Sequence, residues 1–352
     1  MTYGRTEREM SLRGAAAVMG WLYALAALGA MGWGLLGRCA PADWSGYQAM
    51  YDGRGAYLAR QGRDPLFVWL IVRAGDLLGG GGYDTFRWLL FGLFVMVGSG
   101  WAGASVLAGS GLLASVLTVG AAFLLKSLVQ IREGLAFLVL LVSLCGLVRG
   151  APRVMAASGC GALLAALIHS GTAIFVLAWL LAAALPGLSG APLARRRVGL
   201  WLTVGALALG VGVAWLISRN AVALEDSLRD FGVDNSGGVA ADLWKFLYWL
   251  AMGGVVAVVR KQVIDAAAGC GRFGERYATV IAAGLMPTVY VVCLLLVFSR
   301  FDSAAVVSLS IRLLLTTLEL GLMIVAIRGR ANWITAGAAA VSIVDQARLV
   351  LT

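Results

Sequence analysis

Charged positions are spaced so widely along this chain that the apolar stretches between them set its pattern. Gly14 to Gly37, Trp88 to Leu125, Val154 to Ala194, Val198 to Ser218 and Tyr277 to Ser299 contain no Asp, Glu, Lys or Arg. A helix that crosses hydrocarbon needs roughly 20 such residues. In lipid the backbone must satisfy its own hydrogen bonds, so long apolar runs without period-two alternation predict helices rather than barrel strands. The pattern therefore predicts an all-α integral membrane protein with about 10–12 transmembrane helices, some of them short or broken.

Read in order, a first helix covers Ala15 to Leu36 and a polar segment carries the chain to Asp64. A short apolar helix from Leu66 to Leu78 ends at a glycine turn, Gly79 to Gly82, which lacks the strand and Lys of a phosphate-binding loop. The long run after Phe86 is divided at Gly109-Ser110-Gly111, and another helix opens after Gln130. Val154 to Leu185 is interrupted at His169-Ser170-Gly171, as one long helix or two short ones. Further spans cover Val198 to Ser218, Leu243 to Val259, Tyr277 to Phe298, Ala304 to Ile327 and Trp333 to Leu349. No repeat or soluble domain interrupts the series, so residues 1–352 read as one membrane domain.

Orientation comes from Lys and Arg in short loops: Arg149 and Arg153, Arg195 to Arg197, Arg260 and Lys261, Arg272 and Arg276, Arg328 and Arg330. Placing these in the cytoplasm, with the N-terminus, puts segments 38–65 and 219–243 on the other side as extracytoplasmic loops. It also favours two short helices meeting near His169. A multi-pass membrane protein with its N-terminus in the cytoplasm is the expectation.

Composition agrees, with 61% hydrophobic and 13% charged residues and a mean hydropathy of +0.88. The net charge of +10 is scattered between spans rather than gathered in one basic domain, which argues against nucleic acid. Five cysteines lie in or beside apolar segments without CxxC spacing, and the single histidine argues against a His-based metal centre. The N-terminal apolar stretch is longer than the about 7–15 residues of a signal-peptide core, and reads as a retained helix.

Ionisable groups inside membrane segments cost about 2.5–3.5 kcal/mol each on the insertion scale, so they normally face a cavity and pair there. The candidates are Lys126, Arg132, Glu133, His169, Arg312 and Glu319, with Arg73 and Asp76 in the short second helix. Arg132 and Glu133 either cap a helix after Gln130 or form half of an anion site, in which Arg grips phosphate oxygens. His169, the only histidine, is either a packing residue or a general base. Arg312 and Glu319 lie two turns apart on one face, as an ion pair or as ligand contacts. In the first loop Asp43, Tyr47, Tyr51 and Asp64 mix acids with aromatics; Tyr47 and Tyr51, four apart, would share a helix face suited to sugar.

These residues resemble a known family, the EpsG-like, Wzy-type bacterial polymerases of exopolysaccharide and O-antigen repeat units. The resemblance is carried by Asp43-x3-Tyr47-x3-Tyr51, Asp64-Pro65-Leu66-Phe67, Gln130-Ile131-Arg132-Glu133-Gly134-Leu135-Ala136, Leu167-Ile168-His169-Ser170-Gly171-Thr172 and the late Arg312. The family usually has Glu-Pro-Gly where this chain has Asp64-Pro65-Leu66, and a Tyr-Phe pair that commonly follows the late Arg is absent after Arg312.

The resemblance implies a GT-C-like membrane glycosyltransferase that joins undecaprenyl-diphosphate-linked oligosaccharide repeat units at the outer face of the inner membrane, without metal or other cofactor. It implies membrane lipid as surroundings and a chain-length regulator or export proteins as partners. Arg132, Arg312 and Lys126 would bind the diphosphate; His169, Asp43 or Asp64 would take the acceptor proton; Glu133 and Gln130 would orient them, and Tyr47 and Tyr51 would meet sugar. A flippase or transporter of the same lipid, or an O-antigen ligase, would use similar basic groups.

Overall fold

The computed structural model describes residues 43–60, 62–79, 82–128, 130–148, 154–185, 192–219, 242–298 and 304–351, with positions 11, 13–16, 18, 20 and 22 near the start. Most of the expected first helix, and nearly all of segment 219–243, therefore lie outside the described residues. Among the described residues there is no strand. Five helices among the described residues are long and apolar enough to cross a membrane, and three more are apolar but shorter, at 10–17 residues. The fold is that of an all-α, multi-pass membrane protein.

The helices are α1 Asp43–Asp52, α2 Ala56–Arg60, α3 Pro65–Leu78, α4 Tyr83–Leu107, α5 Leu112–Leu128, α6 Ile131–Val148, α7 Met155–Ile168 and α8 Ala173–Ala184. They continue as α9 Pro192–Arg219, α10 Asp242–Ala267, α11 Arg272–Thr279, α12 Met286–Phe298, α13 Ala304–Ile327 and α14 Trp333–Leu351. The chain divides into two compact units, residues 1–180 with 322–352, and residues 181–321.

In the first unit, α4, α5 and α6 follow one another as neighbours, α14 lies along α5, and α7 lies against α6. The short helices α1, α2 and α3 pack on each other, and α3 also touches α4 and α7. The break at Gly109-Ser110-Gly111 is where predicted, and neighbouring groups explain it. A Cβ at Gly329 would overlap the Ala108 carbonyl oxygen, so the α4–α5 and α13–α14 turns meet backbone to backbone. Ser110 joins them, its hydroxyl donating to the Ala326 carbonyl and accepting from the Ala331 N–H. Asn332 caps α14, its side-chain oxygen accepting from the backbone N–H groups of Ile334 and Thr335.

In the second unit α9 lies along α12, and α10 touches α11 and α12. Between α11 and α12 the helix widens to a π turn, Val280–Leu285, just before Pro287. Proline has no N–H to donate, and its ring crowds the carbonyl four residues back, which a wider turn relieves. One boundary differs from expectation. The span predicted to stop at Val259 continues as helix to Ala267, taking Arg260 and Lys261 out of a loop. No glycine or proline interrupts it before Gly269, whose φ of +89° makes the turn, and Arg260 meets the Thr203 hydroxyl at 2.8 Å.

Candidate functional site

Three separated pieces of sequence meet at Asp64. This residue precedes Pro65, which disfavours the right-handed helical region for its predecessor, and it adopts φ 50°, ψ 52°, a left-handed conformation that aspartate tolerates. Its carboxylate makes no capping bond to its own helix α3. It faces outward to two other elements instead.

The first is the opening turn of α6. Arg132 Nη1 lies 2.7 Å from Asp64 Oδ2, with the carboxylate almost wholly buried at 2% exposure and the guanidinium at 16%. The second is the break between α7 and α8. Ser170 donates its backbone N–H to Asp64 Oδ1 at 2.6 Å. Asp64 thus caps, from a distant part of the chain, the first turn of the helix that begins at Ser170, where the positive end of the helix dipole favours an anion.

His169 sits at that same break. Its backbone is extended, φ −146° and ψ 112°, while its N–H still closes the last turn of α7 on Ala165 and its carbonyl accepts from Thr172. The imidazole is thereby swung off the helix axis. Its Nδ1 lies 3.9 Å from Asp64 Oδ2, close enough for charge interaction and too long for a direct hydrogen bond. A Cβ on Gly171 would come within 2.9 Å of Nε2, so the ring needs the glycine beneath it.

Burial alone would raise the Asp64 carboxyl. The His169 side chain, the Arg132 charge and the Ser170 N–H outweigh it and hold the group below its ordinary carboxylate value. Asp64 is therefore an anion at neutral pH and a weak base.

A second ion pair stands behind Arg132. Lys126, at the end of α5, donates to Glu133 Oε1 at 2.5 Å with its own side chain 1% exposed, and its ammonium lies 5.2 Å from the Phe137 ring centroid. Gln130 shapes the intervening turn, its N–H donating to the Lys126 carbonyl and its own carbonyl accepting from Gly134. Gly134 is required there, since a Cβ would meet Phe94 at 2.9 Å and Lys126 at 3.2 Å.

Compared with protein-family models, with curated proteins and with solved structures, the chain matches none.

The structure thus brings together Asp64, Arg132 and His169, with Lys126, Gln130 and Glu133 directly behind. Two of the expected site residues are engaged within the protein. Lys126 was expected to grip a diphosphate, but its ammonium is buried beneath Glu133, where a phosphate would have to displace a carboxylate. Tyr51, expected to share with Tyr47 a helix face suited to sugar, is 3% exposed, stacked against Tyr83 and Phe86 and bonded to the Ala74 carbonyl. Tyr47 is half-buried, edge-on to Phe67 one turn into α3. The Asp43 side chain lies outside the described residues.

Arg312 and Glu319 belong to α13 and to the second unit. Glu319 is fully buried and Arg312 half-buried. Arg73 and Asp76 form an exposed pair, extended by Arg54 at 3.1 Å, of the kind that contributes little to stability. Arg87, buried in α4, was not singled out from the sequence, where it stands at the margin of an apolar run.

Proposed function

We propose that the chain is a membrane glycosyltransferase that polymerises undecaprenyl-diphosphate-linked oligosaccharide repeat units at the outer face of a bacterial inner membrane. The observation that carries this reading is the meeting of Asp64, Arg132 and His169, three residues from three separate motifs of the polymerase resemblance, around one buried carboxylate.

In the proposed reaction a sugar hydroxyl of the acceptor attacks the anomeric carbon of the donor. The bond from that carbon to the diphosphate oxygen breaks, and the lipid diphosphate leaves with the electron pair. The hydroxyl proton goes to the His169 imidazole and from there to water. Asp64, anionic and facing Nδ1, stabilises the imidazolium that forms, as a buried carboxylate does beside a catalytic histidine. Arg132 uses one donor on Asp64, which fixes its orientation and leaves further N–H groups for oxygen atoms of the substrate.

The test is incubation of the purified protein in detergent with a lipid-linked repeat unit. A ladder of lipid-linked oligomers is the expected product. Transfer to a lipid A core instead would make the chain a ligase, and lipid movement across vesicles without any product would make it a flippase; either result sinks the polymerase reading.

A further inference from the structure

The second unit holds an arginine inside a membrane helix whose charge nothing around it matches. Arg260 stands two turns before the end of α10 at Ala267, about 10 Å along the helix. It donates from Nη2 to the Thr203 hydroxyl of α9 at 2.8 Å, and that hydroxyl donates in turn to the Gly199 carbonyl. Among the described residues this neutral oxygen is the guanidinium's one hydrogen-bond partner, its Nε is buried with none, and no carboxylate pairs with it. A cation placed that deep is costly and ordinarily serves a ligand or faces an opposite charge.

The two helices leave room for such a ligand. α9 and α10 each pack on the π turn Val280–Leu285 and on α12 rather than along each other, so a furrow runs between them, crossed by the Arg260–Thr203 bond. On α9, Leu200 and Leu207 flank Thr203 one turn to either side, and both are exposed, as are Trp201 and Val204 beside them. The end of the furrow is basic. α9 begins with Arg195, Arg196 and Arg197, and Lys261 follows Arg260; Arg197 and Lys261 are exposed, and Arg197 lies about 9 Å along α9 from Thr203. Asp265, the acid at this end of α10, is exposed one turn after Lys261.

An exposed apolar face with unmatched cations at one end complements a molecule with an anionic head and long hydrocarbon chains. We infer that the furrow between α9 and α10 binds one anionic glycerophospholipid of the surrounding membrane, its phosphate on Arg260 and its acyl chains along the apolar face of α9. Thr203 takes one N–H of the guanidinium, which fixes its direction and leaves others for phosphate oxygens. Arg197 and Lys261 favour a headgroup without an ammonium. The site lies wholly within residues 181–321 and stands independently of the polymerase reading.

Native mass spectrometry of the detergent-solubilised full chain, titrated with dioleoylphosphatidylglycerol, reads the affinity of the first lipid bound. Dioleoylphosphatidylcholine, with the same chains and a zwitterionic head, is expected to bind about tenfold more weakly. R260Q is expected to lose about tenfold or more of the affinity for the anionic lipid, through the loss of charged hydrogen bonds. R197Q is expected to lose about fivefold, the usual worth of one basic residue near an anionic headgroup. R73Q, which removes a positive charge from the exposed pair on α3, is expected to bind as wild type. Equal affinity for the two lipids overturns the proposal, as does wild-type affinity in R260Q. So does a loss in R73Q as large as in R260Q, the mark of attraction to net charge alone, or displacement of the lipid by an equal concentration of glycerol 3-phosphate, the mark of a site for soluble phosphate. If R260Q does not purify as a folded protein, R197Q measured against R73Q decides, and equal affinities in those two overturn the site.

Discussion

The two units of the chain handle buried polarity differently. In residues 1–180 with 322–352, charges reach across helices: Arg132 of α6 to Asp64 before α3, Ser170 to the same carboxylate over 106 residues, Lys126 of α5 to Glu133 of α6. In residues 181–321, hydroxyls return to their own helix four residues back, Thr279 to Glu275, Thr288 to Gly284, Thr316 to Arg312 and Thr317 to Leu313. Among the cross-helix bonds of its described residues are Arg260 to Thr203, Thr288 to Ala206 and Tyr290 to Trp249. A local hydroxyl-to-carbonyl bond satisfies a polar atom wherever the helix happens to lie. A buried carboxylate held by two other elements costs desolvation that a hydrophobic replacement would avoid, so its retention points to chemistry rather than to stability.

That contrast is most sharply broken at His169. His169→Ala is expected to slow polymer formation by about a hundredfold to ten-thousandfold, the usual worth of a general base, while leaving helicity and thermal unfolding as in wild type. Polymer of normal amount and length from this variant would reduce the histidine to a packing residue.

Next comes the pair behind the site. Removing one partner leaves a buried charge alone, so Lys126→Met is expected to cost about 3–5 kcal/mol in unfolding free energy, whereas Lys126→Met with Glu133→Gln costs far less. A double-mutant cycle measures the coupling, and additive losses would show that the two groups do not depend on each other. Since Lys126 is buried against Glu133 while Arg132 is held by Asp64, the double variant should keep measurable polymer formation.

Asp64 supplies a pH test with a definite sign. Its carboxyl is held below its ordinary value in the folded protein, so its stabilisation is fully present above the unfolded carboxylate value of about 3.9 and is lost as pH falls through the lower folded value. Asp64→Asn is expected to unfold at lower temperature near pH 7 and to lose less on acidification than wild type. Equal acid sensitivity in the two proteins would mean that other carboxylates carry the effect.

Much of this was legible in the sequence, and the reason differs by residue. The breaks at Gly109-Ser110-Gly111 and His169-Ser170-Gly171 and the helix opening after Gln130 are local events, written in small and polar residues inside apolar runs. Asp64, Arg132 and His169 could be chosen because a charge or an imidazole among apolar residues is conspicuous. What could not be read was pairing. Nothing in the spacing says that Lys126 turns to Glu133 rather than to a ligand, or that Tyr51 is covered by Phe86, since both depend on which helices come together. Arg87 was invisible for the opposite reason. An arginine at the margin of a span looks like an ordinary anchor until its burial is known.

The smallest effect belongs to the second unit, and it is what the comparison needs as its lower bound. The Thr288 hydroxyl shares its one proton between the carbonyls of Gly284, in its own helical run, and Ala206 of α9, beside Gly210, where a Cβ would lie 3.1 Å from the Thr288 carbonyl. Thr288→Val keeps the shape and removes the donor. Gly284 and Ala206 each have a carbonyl with a second lone pair and other backbone donors nearby, so the variant leaves no charge unpaired, and its cost is that of one neutral hydrogen bond, about 0.5–1.5 kcal/mol. Thermal unfolding in detergent measures it, and a loss as large as that of Lys126→Met would mean that buried polarity in this unit is as consequential as in the first.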